Sequence, residues 1–444
     1  MMARWAYEPA ERPDAGDLKD AIQKGLGRAH RWATTGLWTD KTVLLEACLN
    51  DLRYDRQCEE SRGPWLWEIM EAVHAVDELR EAILESLSIT DDGFAGQQLC
   101  QFAVFYARKG DERFRLGLQE VVSRKPDQYY PAFGEEELID LDGEAGFLFA
   151  ACVHDKSPPP KEWEESDSVA LVETAVAKLG EFAVASLLER ESQTSNAMKR
   201  LRDSWRSSKE RKARQGRELH ADRMRNISLN TVIQAAEVEK HQTGFLRGWG
   251  MYAAEADLRL VLDRLLNTQD PAVLANYLRV FSNRSMPEFN EKLLCLLDHP
   301  DENVRARAHS ALAQNSHPLV RNFAVNHLGE RASMPFFLQL FIRNFEPGDE
   351  EMLLGVLLLP EDADERHGIL MDLRKILEHN SGSKCQELAT IIYRFTPCGS
   401  CRHDAAKLLM NRGSAPGWLI EECRHDAVED TRRLAATPPI ENSR

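Results

Sequence analysis

Apolar residues recur every three or four positions along almost the whole of this chain, and that regularity decides what it can fold into. Leu18, Ile22, Leu26, Ala29 and Trp32 form one stripe; Val172, Val176, Leu179, Ala183 and Leu187 form another. Residues at this spacing share one face of an α-helix. Leu99, Phe102, Ala103 and Tyr106 run up to Gly110, a left-handed stop, after which Asp111 can cap a second stripe of Phe114, Leu118, Val121 and Val122. That is a helical hairpin with a short turn. No stretch alternates apolar and polar residues between turn signals, as strands would. The class is therefore all-α.

The sharpest pattern lies in the C-terminal half. HPDENVRARAHSAL and HPLVRNFAVNHL each follow a His-Pro breaker, His299-Pro300 and His317-Pro318, with V-R-x-x-A-x-x-x-L. Val304, Ala308 and Leu312, like Val320, Ala324 and Leu328, fall at i, i+4 and i+8 on one face, where the small alanine admits a neighbouring helix. Arg305 and Arg321 follow the valines. A weaker echo occurs at Cys401, Arg402, Ala405 and Leu409, and a partial one at Cys423, Arg424 and Ala427, with Thr431 in the leucine position. From about Asp270 to Leu328 the chain resembles the HEAT and armadillo-type helical repeat superfamily. The resemblance implies an α-α superhelix, a HEAT-like solenoid of short antiparallel helix pairs, whose irregular last repeats cap the stack.

Composition and punctuation divide the chain. KSPPPKEWEESD, residues 156–167, carries three consecutive prolines and acids and reads as a surface connection. We expect a helical region over 1–155, then a Pro-rich connection, one helix and a basic segment over 156–227, and the HEAT-like repeats over 228–444. Met1 to Asp14 has neither the apolar run of a secretory signal nor the character of a transit peptide, and the longest apolar stretch, Met352 to Leu359, is far shorter than the roughly 20 residues that span a bilayer. These features predict a cytoplasmic protein with no membrane partner. Nine cysteines, an odd number, fit reduced thiols better than a disulfide framework.

Three groups of residues invite a functional role. Lys199 to Arg225 holds eleven Lys or Arg against four Asp or Glu, a net +7 within a chain of net charge −16. Lys199, Arg200, Arg202, Arg206, Lys209, Arg211, Lys212, Arg214 and Arg217 can meet phosphates or an acidic protein, with Trp205 available to stack on a base. A solvated helix whose cations pair with the acidic body is the structural alternative. The second group is Cys398-Gly-Ser-Cys401 with His403, Cys423 and His425. Three thiols and an imidazole would hold zinc if the two ends of a hairpin met there, and thiols at a helix start suit redox chemistry. The repeat register instead makes Cys401 the equivalent of Val304 and Val320, an inward core residue. Third, Asp51, Asp55 and Glu59 stand at i, i+4 and i+8 in a helix expected around Asn50 to Arg62, where a carboxylate row would bind a cation or a basic partner, or form a solvated face.

No catalytic motif is present: there is no H-E-x-x-H, nucleophile elbow, P-loop or dinucleotide fingerprint. Gly244, Gly248 and Gly250 suit close helix packing rather than a phosphate loop, and the acidic run Glu135 to Glu144 lacks calcium-loop spacing and reads as a connecting turn. The expectation is a non-catalytic scaffold or adaptor, without a cofactor, that binds another macromolecule, most naturally a protein. A nucleic acid gripped by residues 199–225 is the first alternative, as in HEAT-like DNA glycosylases, whose catalytic Asp and aromatic cluster have no counterpart here. A zinc- or thiol-dependent protein centred on Cys398, Cys401 and Cys423 is the second.

Overall fold

The computed structural model describes residues 9–38, 40–124, 133–156, 164–214, 220–239, 243–328, 334–380 and 386–436. Every regular element among them is a helix, and 74% of these described residues are helical. The chain forms two compact units. Glu8–Gly216 together with Gly417–Thr437 make one, and Arg217–Pro416 make the other. Of the Pro-rich connection expected over 156–167, residues 157–163 lie outside the described residues; its ends are helical rather than surface connection, in Glu144–Lys156 and Glu164–Leu179, with Asp167 buried, and both helices belong to one unit.

Within each unit, helices touch mainly those that precede or follow them closely in the chain. In the unit 217–416 the sequence of contacts runs from Phe245–Tyr252 to Pro271–Val280, then Glu302–Leu312, Met334–Gln339, Ala363–His379 and Gly399–Asn411. Side-chain amides tie these steps together. Asn315 accepts from the Met286 amide at 3.0 Å, Asn344 donates to the Asn315 carbonyl at 3.0 Å and accepts from the His317 amide at 2.9 Å, and Asn380 donates to the Ile342 carbonyl at 3.1 Å. Each asparagine also donates to the carbonyl four residues back, so it closes its own helix end while fastening the preceding step. A buried amide used on both sides leaves few polar atoms unsatisfied.

The V-R pattern has a structural reason. Val304, Ala308, Leu312, Val320, Ala324 and Leu328 are all buried, as the spacing requires. Arg321 donates forward to the Asn344 carbonyl at 2.6 Å and pairs with Asp349, whereas Arg305 reaches back over its own helix start to the His299 carbonyl at 2.7 Å, as Arg366, which follows Glu365, does to the carbonyls of Pro360 at 3.0 Å and Glu361 at 2.9 Å. Arg432 makes the same bonds to Asp426 and Ala427 at 2.5 and 3.2 Å. The true echo at the chain's end is therefore Thr431, Arg432 and Ala435, on the helix Glu429–Ala436, and not Cys423, Arg424 and Ala427. Cys423 ends the helix Gly417–Cys423, and Ala427 sits in the turn between the two helices.

Two further expectations are corrected. Glu135–Asp142 is a helix rather than a connecting turn; it buries Leu138 and Ile139 and stops at Gly143, which has φ 60°. Glu137 on it is buried, and desolvation lifts its carboxyl to about 7. Close packing does explain Gly250, where a Cβ would lie 1.8 Å from the Val280 carbonyl oxygen, whereas Gly244 faces open space.

The last two helices complete the first unit. Gly27 opens the helix Gly27–Thr34, and a Cβ there would lie 1.8 Å from the Glu422 carbonyl oxygen. The Ala427 amide donates to the Gly25 carbonyl and Trp65 Nε1 to the His425 carbonyl, both at 2.9 Å. Arg28 and Glu422, both buried, form a bidentate pair with one bond of 2.9 Å. Residues at opposite ends of the chain thus share one core.

Candidate functional site

Cys398 and Cys401 are brought together with a residue that has no motif around it, His367. Asp362 caps the helix Ala363–His379 by accepting from the amides of Asp364 and Glu365, which fixes its start and places His367 in the second turn. Cys398 occupies the cap position of the helix Gly399–Asn411, with extended backbone, so Cys401 falls in the first turn. These two helices pack against each other and against Gln386–Phe395. His367 Nε2 lies 3.2 Å from Cys401 Sγ, and the donor atoms of His367, Cys398 and Cys401 all lie within 4.8 Å of one another.

Both cysteines are buried, at 3% and 5% exposure, while His367 is half-buried at the edge of the group. Cys401 occupies the same position relative to its helix start as Val304 and Val320 do to theirs, so the repeat register and the cluster coexist. Hydrogen bonds from Cys401 and His367 hold the Cys398 thiol well below its ordinary value. Cys401 keeps the shared proton beside Cys398 and inside the fold, which pushes its own thiol up. The arrangement is a thiolate–thiol pair with an imidazole in reach, a soft N/S donor set.

The other three members of the sequence-based set lie elsewhere. Cys423 is buried in the unit 8–216 with 417–437, and His425 in that unit stacks on His30 with ring centroids 5.1 Å apart. His403 lies two residues beyond Cys401 on the same helix, and residues two apart point to different sides. Within the unit 8–216 with 417–437, the helix ending at Cys423 packs on Gly27–Thr34 and Glu429–Ala436. What could have revealed His367 is the repeat length. Cys401 follows it by 34 residues, within the 27 to 38 residues separating the partners that the asparagines join.

The basic segment builds the helix Asn196–Arg214, amphipathic rather than polar all round. Met198, Leu201, Trp205 and Ser208 are buried against the helices Glu144–Lys156, Glu164–Leu179 and Glu181–Glu191. Trp205 is a core residue, 7% exposed, with Lys209 Nζ 4.2 Å from its ring centre. The cations pair with acids of their own unit: Arg200 with Asp155, Arg202 with Asp203 at 2.9 Å and Glu189 at 3.4 Å, Arg206 with Glu189 at 2.6 Å, and Lys209 with Glu181. Lys199 and Arg211 are exposed. Lys212 and Arg214 lie in the last turn of the helix, and Arg217 lies outside the described residues.

The carboxylate row does not exist as a row. Residues 50–62 form an irregular loop, not a helix, and most of its charges point inward. Asp51 and Arg53 form a buried pair, and Glu59 and Arg62 another at 2.9 Å. Arg62 also donates to the carbonyls of Ile22 and Gln23, closing the end of Ala15–Lys24. Trp65 and Trp67 are core residues.

An open hollow of about 550 Å³ is lined by turn residues, among them Arg284, Met286, Phe289 and Arg343. No helix among the described residues is long and apolar enough to cross a membrane. No family model, no curated protein and no solved structure matches the chain.

Proposed function

We propose that this chain is a non-catalytic helical-repeat scaffold that binds another protein. In this account the helices Phe245–Tyr252 to Gly399–Asn411 form a HEAT-like α-α superhelix. The observation that carries it is the ladder of asparagines, Asn315, Asn344 and Asn380, each linking its helix end to the step before. A stack joined neighbour to neighbour presents a long surface built from many helices, which suits recognition of a partner over a large area more than enclosure of a small substrate. The fold class alone does not assign a function, and the step to protein binding rests on that surface and on the open character of the hollow beside Arg284 and Arg343.

The outer side of Asn196–Arg214 supplies the electrostatic part of this interaction, with Lys199 and Arg211 exposed on it. What weighs against a nucleic-acid footprint is that Arg200, Arg202, Arg206 and Lys209 already face Asp155, Asp203, Glu189 and Glu181, and that Trp205 is packed inside. Counterion release from phosphates needs cations that are not already neutralised. The test is retention of duplex and single-stranded DNA and RNA by the purified full-length chain across a salt series. Protein binding expects none at physiological salt, whereas tight retention falling steeply with salt would favour the nucleic-acid function.

A further inference from the structure

We infer that His367, Cys398 and Cys401 form a binding site for a zinc-class divalent cation, with one coordination position left for water. The geometry carries the assignment. Zinc at about 2.3 Å from sulfur and 2.0–2.1 Å from nitrogen sets tetrahedral donors about 3.5–3.8 Å apart. Here the three donors lie within 4.8 Å of one another, and one edge, His367 Nε2 to Cys401 Sγ, is 3.2 Å. Coordination would need these separations to change by about 1 Å at most.

Chemistry and placement agree with that geometry. Two thiolates and one neutral imidazole are a donor set that prefers zinc over the hard cations magnesium and calcium. Binding releases the proton that the two sulfurs share to solvent, and the two thiolates neutralise the dication, which suits sulfurs at 3% and 5% exposure. The partly exposed imidazole is the side from which the ion and its water enter. The donors come from two helices, so the ion would clasp Ala363–His379 to Gly399–Asn411 near their N-terminal ends. Cys423, His425 and His403 are not ligands in this assignment. It is independent of protein binding elsewhere on the chain.

The experiment uses the full-length chain, reduced, stripped with chelator and titrated with Co²⁺, then Zn²⁺. One equivalent of Co²⁺ should give thiolate-to-cobalt charge-transfer absorption and tetrahedral d–d bands, both abolished by one equivalent of Zn²⁺. Zinc should also protect two thiols from a thiol reagent. His367→Ala, Cys398→Ser and Cys401→Ser should each weaken zinc, measured by chelator competition, beyond the about 10- to 100-fold typical of outer-shell partners. Cys423→Ser and His425→Ala should leave the affinity unchanged. Circular dichroism separates lost ligands from lost folding, and the wild-type cobalt spectrum and thiol protection need no variant at all. Absence of the cobalt bands, unchanged affinity in His367→Ala, or a Cys398–Cys401 disulfide forming readily in a chain that binds no zinc would each overturn the assignment.

Discussion

Removing the Glu422 carboxylate is the most informative single perturbation of the fold, because it tests whether the last helices belong to the core of the first unit. Its side chain and that of Arg28 are 2% and 8% exposed and pair through two hydrogen bonds, so neither charge is well hydrated. Replacing both by apolar residues of similar volume is often neutral, whereas breaking a buried pair from one side destabilises by about 3–5 kcal/mol. Glu422→Ala should fall in that range, and Arg28→Met with Glu422→Leu should recover most of the loss. An exposed pair provides the control: Arg113→Ala, which breaks contacts with Glu81 and Asp111 at 50% exposure of the arginine, should leave the unfolding midpoint close to that of wild type. The assay is urea unfolding followed by tryptophan fluorescence, with hydrogen exchange on Gly27–Thr34 to locate the effect. A two-unit chain need not unfold in one step, so the exchange data identify which transition moved. A Glu422→Ala midpoint within error of wild type, with exchange protection of Gly27–Thr34 retained, would refute the shared core.

Four other outcomes follow from the packing. Leu312→Ala should destabilise by about 2–5 kcal/mol through the cavity it leaves, while the exposed Glu302→Ala stays within about 0.5 kcal/mol, both read from denaturant midpoints. Gly250→Ala should lower the melting temperature markedly, since its Cβ would meet a carbonyl at 1.8 Å, whereas Gly244→Ala, facing open space, should be neutral or slightly stabilising. Glu137 has a folded value of about 7 against 4.5 unfolded, so between these values the folded chain holds a proton that the unfolded chain releases, and stability falls as pH rises. Glu137→Gln should remove that slope and gain up to about 3 kcal/mol on wild type between about pH 5 and pH 8 in pH-dependent melts.

How much of this was legible in the sequence depends on whether the cause was local. Val304, Ala308 and Leu312 announce their helix and its buried face because period and burial coincide, and Asp301 and Asp362 mark helix starts by short-range capping. Residues 50–62 mislead for the opposite reason. Asp51, Asp55 and Glu59 have helical spacing, but Arg53 and Arg62 draw two of the carboxylates inward, and the loop that results satisfies the end of another helix. Glu422 and His425 carry no mark that they pack beside Arg28 and His30, since that pairing spans nearly the whole chain. His367 is intermediate: it has no motif, yet it stands about one repeat before Cys401, where stacked helices bring residues together. The basic helix shows that net charge is visible in a sequence while its neutralisation by Asp155, Glu181 and Glu189 is not.

The measurement that bears most directly on the scaffold function is capture of the full-length chain from its native host under nuclease treatment and mild cross-linking, beside a variant carrying Arg211, Lys212 and Arg214 as glutamates. Protein binding predicts a partner recovered near one to one with the wild type, cross-linked to the Asn196–Arg214 helix or the helices packed against it, and lost from the variant at unchanged melting temperature. A chain recovered alone, or a partner held equally by wild type and variant with cross-links far from that helix, would contradict it.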